Sequence, residues 1–339
     1  MIEINNLPRE IFSGEYTECN HCQGIATDGK YMYYSFTTKF VKTDLDGNLI
    51  GSAVGLTGHL GCIAYDEKTN CVYGSLEYKN DGIGRGIRNE LGIVEDCPEA
   101  FYVARFDVDR INTVDEDAIK SGIMTLLKLN DVIEDYLWSD EKLEHRLGCS
   151  GIDGTTIVPD YHGKRTLFVA YGVYFDAARD DNDDQVIVSY DLERVSPLFE
   201  VIDPANDHTS GVYADKKLFV HTGNTEFGVQ NLEYDPYTNC ILAAVYRGRK
   251  PQYPNRNMYF IDMSAPEYEK DGKTYLPLAE RGVPHESGIY GSDFPLGATG
   301  VIALGNGYYY YSSASSVKGV HSTKVFLHKL KGSGDFERV

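Results

Sequence analysis

The chain has 339 residues, with 32 Lys and Arg against 51 Asp and Glu and a formal net charge of −19; that excess of acid excludes the basic face a nucleic acid requires and disfavours an anionic membrane surface. Its 26 Tyr and 34 Gly, beside one Trp and five Met, favour strands and tight turns over long helices. No apolar stretch approaches the roughly 20 residues of a membrane helix, the N-terminus MIEINNLPREIF has neither region of a signal peptide, and the seven cysteines fall at no compact disulfide spacing, so the expected setting is the reducing cytoplasm.

Residues 24–35 (GIATDGKYMYYS) read as a hairpin: an apolar run, an Asp-Gly turn, then a Tyr-rich run. A third strand follows at 40–46 (FVKTDLD) and a fourth at 48–54. The same order returns with a hairpin at 62–75 (CIAYDEKTNCVYGS), a third strand at 101–109 and a fourth at 123–129. It returns again at 156–171, 186–191 and 198–202, then at 231–246, 258–262 and 274–278. The last copy has a hairpin at 300–312 (GVIALGNGYYYYS) and a third strand at 325–330, and the N-terminal segment 2–12 is expected to supply its fourth strand and close a ring. Five such units predict an all-β, single-domain, five-bladed β-propeller, with six blades as the alternative. Two insertions interrupt the repeat, at 77–100 and at 131–147, the second with apolar residues near helical spacing. Residues 208–224 (HTSGVYADKKLFVHTGN) read as an extra hairpin, and the acidic run 180–184 (DDNDD) as a solvated loop tip without the Gly and distal Glu of a calcium loop.

One repeat is nearly literal. Tyr65-Asp66-Glu67-Lys68-Thr69-Asn70-Cys71 matches Tyr234-Asp235-Pro236-Tyr237-Thr238-Asn239-Cys240, each between two β-like runs. Aligning the first strand of each blade exposes a second pattern, His-x-x-[Gly/Cys]-[Ile/Val]-x-x-Asp, beginning at His21, His59 and His208, with Asp153 at the same position in blade three. In a propeller the first strands line the central channel, so these four are the candidate catalytic residues. Imidazoles near neutral pKa suit acid–base work. His21, His59 and His208 also suit one divalent metal (zinc, manganese or calcium) with an open position for water. The competing explanation is that they tile a wet channel, bonded to water and backbone.

The loops between second and third strands share that face. Glu77, Tyr171 and Arg247, with Tyr78, Tyr174, Arg85, Arg88, Arg249, Lys250 and Arg256 near them, suggest a substrate-binding ring in which arginine forks grip an anionic small ligand such as a uronic-acid sugar and tyrosines stack on it. Glu226 and Gln230, near the start of blade four, join this set; Glu226 with Asp153 or Glu77 would make a carboxylate pair for glycoside hydrolysis. Glycines 82, 84, 86 and 92 give the first insertion the composition of a mobile lid. The Cys19-x-x-Cys22 pair has no partner pair for zinc, no glycine pattern leads a strand into a helix, so no nucleotide cofactor is expected, and no serine nucleophile elbow is present.

This repeat layout resembles the five-bladed propellers, among them the arabinanase-like and invertase-like glycoside hydrolases and the tachylectin-type lectins. The resemblance implies a carbohydrate ligand. The hydrolases place three carboxylates at blade starts, whereas here only Asp153 stands at such a position and His21 and His59 occupy others, so their catalytic assignment is not carried over. The expectation is a hydrolase or lyase acting on a carbohydrate or other small polar molecule at the channel mouth, with a non-catalytic sugar-binding or scaffold propeller as the alternative.

Overall fold

The tyrosine runs explain the architecture. In the second strand of blade one, Tyr33 faces the core shared with blade two and Tyr34 the core shared with blade five, because successive side chains point to opposite faces of a strand. Tyr309, Tyr310 and Tyr311 alternate in the same way between the blade-four and blade-one sides. All five are fully buried, each worth about 1.5–3 kcal/mol on the scale of large apolar side chains. A sheet buried on both faces therefore reads as a continuous aromatic run rather than an alternation.

A computed structural model describes residues 4–160 and 162–339. It shows five sheets in a ring, a five-bladed β-propeller. Blade one comprises Cys22–Thr27, Tyr31–Phe36, Lys39–Asp44 and Leu49–Val54, from channel to rim. Blade two comprises His59–Asp66, Cys71–Tyr78, Ala100–Asp107 and Met124–Lys128, and blade three Cys149–Pro159, Arg165–Val173, Asp184–Asp191 and Lys216–His221. Blade four has Glu226–Asp235, Cys240–Tyr246 and Met258–Asp262; blade five has Val301–Gly305, Tyr308–Val317 and Val320–Lys331. The strand Glu10–Tyr16 pairs antiparallel with Val320–Lys331 and closes the ring; residues 2 and 3 of the expected closing segment lie outside the described residues. Five apolar clusters occupy the five junctions between neighbouring blades, which suits a ring of five and leaves the channel for polar residues.

Four expectations need correction. Residues 208–224 are not an extra hairpin: 208–215 is irregular, and Lys216–His221 is the outer strand of blade three, antiparallel to Asp184–Asp191. The strand expected at 198–202 is displaced by a 3-10 turn at Ser196–Leu198, where Pro197 lacks the N–H a ladder needs; only Glu200 bridges, to Leu126. Lys273–Tyr275 runs parallel to the outer strand of blade three, while Leu278 makes a single bridge to Ile261 of blade four. The acidic run at 180–184 is not a free tip either. Asp181 pairs with Arg179, Asp183 with Lys250 and Tyr253, and Asp184 with His221, Lys273 and Tyr275.

The first insertion is shorter than expected, since Glu77 and Tyr78 complete a strand. Its helix α1, Gly82–Glu90, is capped by Asp81, whose carboxylate accepts from Gly84 N at 2.8 Å. At its far end the guanidinium of buried Arg88 donates to Lys79 O and Asn80 Oδ1, and Glu90 accepts from Asn20 Nδ2 at 2.6 Å. Tied at both ends, α1 is a fixed wall over the channel mouth rather than a loose lid. The second insertion forms helix α2, Asn130–Leu137, against blades two and three. Among the described residues no helix is long and apolar enough to cross a membrane.

Candidate functional site

The inner strands of blades one to four change register at one level: between Cys22 and Gly24, Leu60 and Ile63, Ile152 and Thr155, and Val229 and Asn231. Bulges re-aim side chains, and here they accompany the turn of polar groups into the channel mouth. Hydrogen bonds between blades hold that level: Ser35 Oγ donates to Gly61 O and Ser75 Oγ to Asp153 O, both at 2.6 Å, and Asn231 Nδ2 donates to Gln23 O at 2.9 Å.

The mouth opens into a cavity of about 360 Å³ whose polar lining includes His21, Gln23, His59, Glu77, Asp153 and Gln230. His59 is its centre. Its Nδ1 lies 3.4 Å from Glu77 Oε1 and 3.6 Å from Asp153 Oδ1, yet makes no well-directed hydrogen bond. Glu77, opposite His59 in the blade-two hairpin, is 3% exposed and is gripped on both oxygens. Lys79 Nζ sits 2.6 Å from Oε1, and Ile152 N donates to Oε2 at 3.0 Å. Lys79 also donates to Ser150 O at 2.6 Å. Asp153 Oδ2 accepts from Gln230 Nε2 at 3.2 Å, and the same amide donates to Phe227 O at 3.1 Å. Two glycines make room. A Cβ on Gly151 would lie 1.9 Å from Glu77 Oε2, and one on Gly61 would lie 2.9 Å from Asp153 Oδ1.

The electrostatics separate the two carboxylates. Burial would raise Glu77, but Lys79 and then His59 hold it below the ordinary carboxylate range. Burial pushes Asp153 up to about 7, with Glu77 adding to the rise and His59 opposing it. Burial favours neutral His59, yet its contact with Glu77 and the charge of Asp153 raise its pKa above the usual imidazole value. Lys79 is driven well above the usual ammonium range, because Glu77 and Asp81 outweigh its burial. His21 goes the other way: burial, then the charges of His59 and His321, lower it. Its Nε2 is 3.1 Å from Gln23 Nε2. One site thus holds an ionised carboxylate, a carboxyl that titrates near neutrality and an imidazole biased toward its neutral form.

Of the residues expected from sequence, His21, His59, Asp153, Glu77 and Gln230 line one cavity; His208, Tyr171, Glu226 and Arg247 do not. His208 is exposed in the irregular segment before the outer strand of blade three, so its resemblance to an inner-strand start is coincidental. Tyr171 is fully buried between blades and donates to Asp135 Oδ2 at 3.0 Å. Glu226 is paired with Arg249, and Arg247 with Asn257 and Asp293. The other basic loop residues are also spoken for: Arg85 by Asp96, Lys250 by Asp183, Arg256 by Asp293. No arginine lines the cavity, so the arginine grip expected for an anionic ligand is not assembled there. Nor is the expected metal set. His208 is elsewhere, Lys79 already places a cation on Glu77, and among the described residues no three His, Cys, Asp or Glu side chains converge to hold an ion. Cys19 and Cys22 are buried structural thiols, pushed up to about 11 and about 12 by burial.

Sequence reasoning missed Lys79, Gln23, Phe227 and Tyr246, all of which line the cavity, and read the glycines of α1 as a lid rather than as a helix face lining it. Lys79 and Gln23 each stand two positions after a residue that was singled out, Glu77 and His21. That closeness in sequence was the available signal for both. Nothing local marks Phe227.

No family model matches the chain, and no curated protein matches it. Among solved structures it is similar to a xylan beta-1,4-xylosidase from Bacillus halodurans C-125, with 11% identity and a TM-score of 0.41 over 100% of this chain and 56% of that one. It is also similar to a GH43 beta-1,3-galactosidase solved with galactodeoxynojirimycin, with 12% identity and a TM-score of 0.45 over 94% and 93% of the two chains. A GH43_12 protein retrieved from a capybara gut metagenome gives 13% identity and a TM-score of 0.41 over 96% and 54%. The chain spans little more than half the length of the first and third. Likeness at this level carries no argument about chemistry.

Proposed function

We propose that this protein is an enzyme that carries out proton-transfer chemistry on a small carbohydrate at the channel mouth, a hydrolase acting on a glycosidic bond. The observation that carries the reading is the His59–Asp153–Glu77–Lys79 cluster inside a cavity. Two carboxyls that flank one imidazole are driven apart in pKa, which is how one site supplies an acid and an ionised group at the same pH. Asp153 is the proton donor to the leaving oxygen, and neutral His21 accepts a proton from the attacking water as the anomeric carbon–oxygen bond breaks. Glu77 and Lys79 do not exchange protons; Lys79 keeps Glu77 ionised beside His59, and the charge of His59 opposes the rise that burial gives Asp153. Because Lys79 is already neutralised by Glu77 and no arginine lines the cavity, the sugar is read as neutral.

The test is a panel of neutral aryl glycosides with wild type, Asp153→Asn and His21→Gln. Asp153→Asn should lower kcat by about 10³-fold, within the range for a lost general acid, with the melting temperature nearly unchanged. The pH–rate profile of wild type should fall as pH rises through about 7, where Asp153 loses its proton, and should fall on the acid side as His21 gains one. His21→Gln should remove the acid-side limb. Full turnover in Asp153→Asn would sink the assignment. Stoichiometric sugar binding in all three proteins without turnover in any would identify a binding protein instead.

A further inference from the structure

Part of the cavity lining is apolar and is built with unexpected residues. Helix α1 presents Gly82, Ile83, Gly86 and Ile87 to the cavity, with Glu90 at its end, and Phe227 and Tyr246 join the apolar part of the lining. Glycine inside a helix is destabilising relative to alanine unless packing demands it. Here packing does not: a Cβ added at Gly82 or Gly86 would meet nothing within 4 Å. Gly84, on the same helix, is the contrast, since its Cβ would collide with Lys79 O at 1.9 Å. So one glycine of α1 is required by the fold, while two leave open space at the cavity.

Phe227 points the same way. It has φ +64°, a left-handed conformation costly for a bulky side chain, and it is followed by Gly228 at φ +75° within a strand bulge. Gly228 is forced, because a Cβ there would meet Tyr171 O and Val173 N at 2.6 Å. Phe227 is not forced by burial: it remains 38% exposed, and its carbonyl is held by Gln230, the residue that also holds Asp153. A strained backbone presents an apolar ring to the mouth and ties it to the acid.

We infer that the ligand is amphipathic: a neutral glycoside whose sugar meets Asp153, His21 and Gln23 and whose aglycone is a flat apolar group, such as an aromatic ring, lying on the glycine face of α1 beside Phe227. This deepens the hydrolase reading and rests on it for the sugar, but its test reads binding rather than turnover. Phenyl and methyl thioglycosides of the same neutral sugars, which resist hydrolysis, are titrated calorimetrically into wild type, Gly86→Leu and Phe227→Gly. The phenyl compound of at least one sugar should bind wild type ten-fold or more tightly than its methyl counterpart. Gly86→Leu, which replaces a poor helix former with a good one in open space, should raise the melting temperature yet abolish that advantage. Phe227→Gly should likewise raise the melting temperature, by relieving strain, and reduce the advantage. Equal affinity for phenyl and methyl compounds, no binding of either, or an advantage that survives both substitutions would overturn the inference. A phenyl advantage in a protein that hydrolyses none of the oxygen glycosides would uphold it while removing the hydrolase reading.

Discussion

The inner hairpins of blades two and four begin alike and end differently. At the lower turn, Asp66 Oδ2 accepts from Thr69 N, and Asp235 Oδ2 from Thr238 N, each at 3.1 Å. Tyr65 and Tyr234 each donate to the asparagine five residues on, at 2.9 Å, and those asparagines have φ of +51° and +52°. At the upper end the same pairs of strands carry His59 opposite Glu77 in blade two but Glu226 opposite Tyr246 in blade four. The turn is specified by hydrogen bonds among neighbours in sequence, so the residues that make it recur. The mouth is specified by what converges from other blades, so each blade there is its own. Architecture occupies one end of the hairpin and chemistry the other.

Three substitutions sharpen that contrast. The largest effect is expected at the upper end of blade two. Lys79→Met removes the main counter-charge of a carboxylate that is 3% exposed, and breaking a buried pair from one side costs about 3–5 kcal/mol. Denaturant unfolding should show that loss, and Glu77→Gln in the Lys79→Met background should recover most of it. A loss under 1 kcal/mol would mean that the cluster is wetter than it looks. The middle effect lies between the two ends, where Glu233 occupies in blade four the place that Ala64 holds in blade two, each followed by the matched Tyr-Asp. Burial pushes Glu233 up to about 8, although it accepts from Ala303 N at 2.8 Å. A carboxyl whose folded pKa lies above its unfolded value makes the native state bind the extra proton, so wild-type stability should decline as pH rises from about 4.5 to 8. Glu233→Gln should therefore be more stable than wild type at pH 8, by on the order of 2 kcal/mol, with the gap closing toward pH 5. A gap independent of pH would show that Glu233 is not strained by its charge. The smallest effect is at the lower turn. Asn239→Ala should cost about 1–2 kcal/mol through the left-handed backbone and the lost tyrosine partner, with Asn239→Gly costing less and catalytic parameters unmoved in both.

How much was legible follows the same division. Blade count, strand order, ring closure and the paired turns were readable because each depends on periodicity or on contacts a few residues apart. His21 and His59 were readable because they hold one repeat position on inner strands; the same alignment picked out Asp153, but the register sets it two residues further along, level with Gly61 in the bulge, while Gly151 stands opposite its partner strand where His59 does. His208 shared the pattern and not the place: whether a run such as 208–215 becomes an inner strand is decided by which strand the preceding blade still needs. Arg247 and Glu226 have the right chemistry in the right loops, but Asp293 and Arg249 already pair with them.

The sequence by itself determined a Tyr-rich, all-β ring and the level at which polar residues reach the channel, since two-residue alternation and local turn bonds need no distant partner. Only the tertiary structure decided that Lys79 holds Glu77, that Asp153 titrates near neutrality while Glu77 does not, and that α1 leaves open space over the mouth. Burial and charge proximity set those properties, and both are created only when residues from blades far apart in the chain meet.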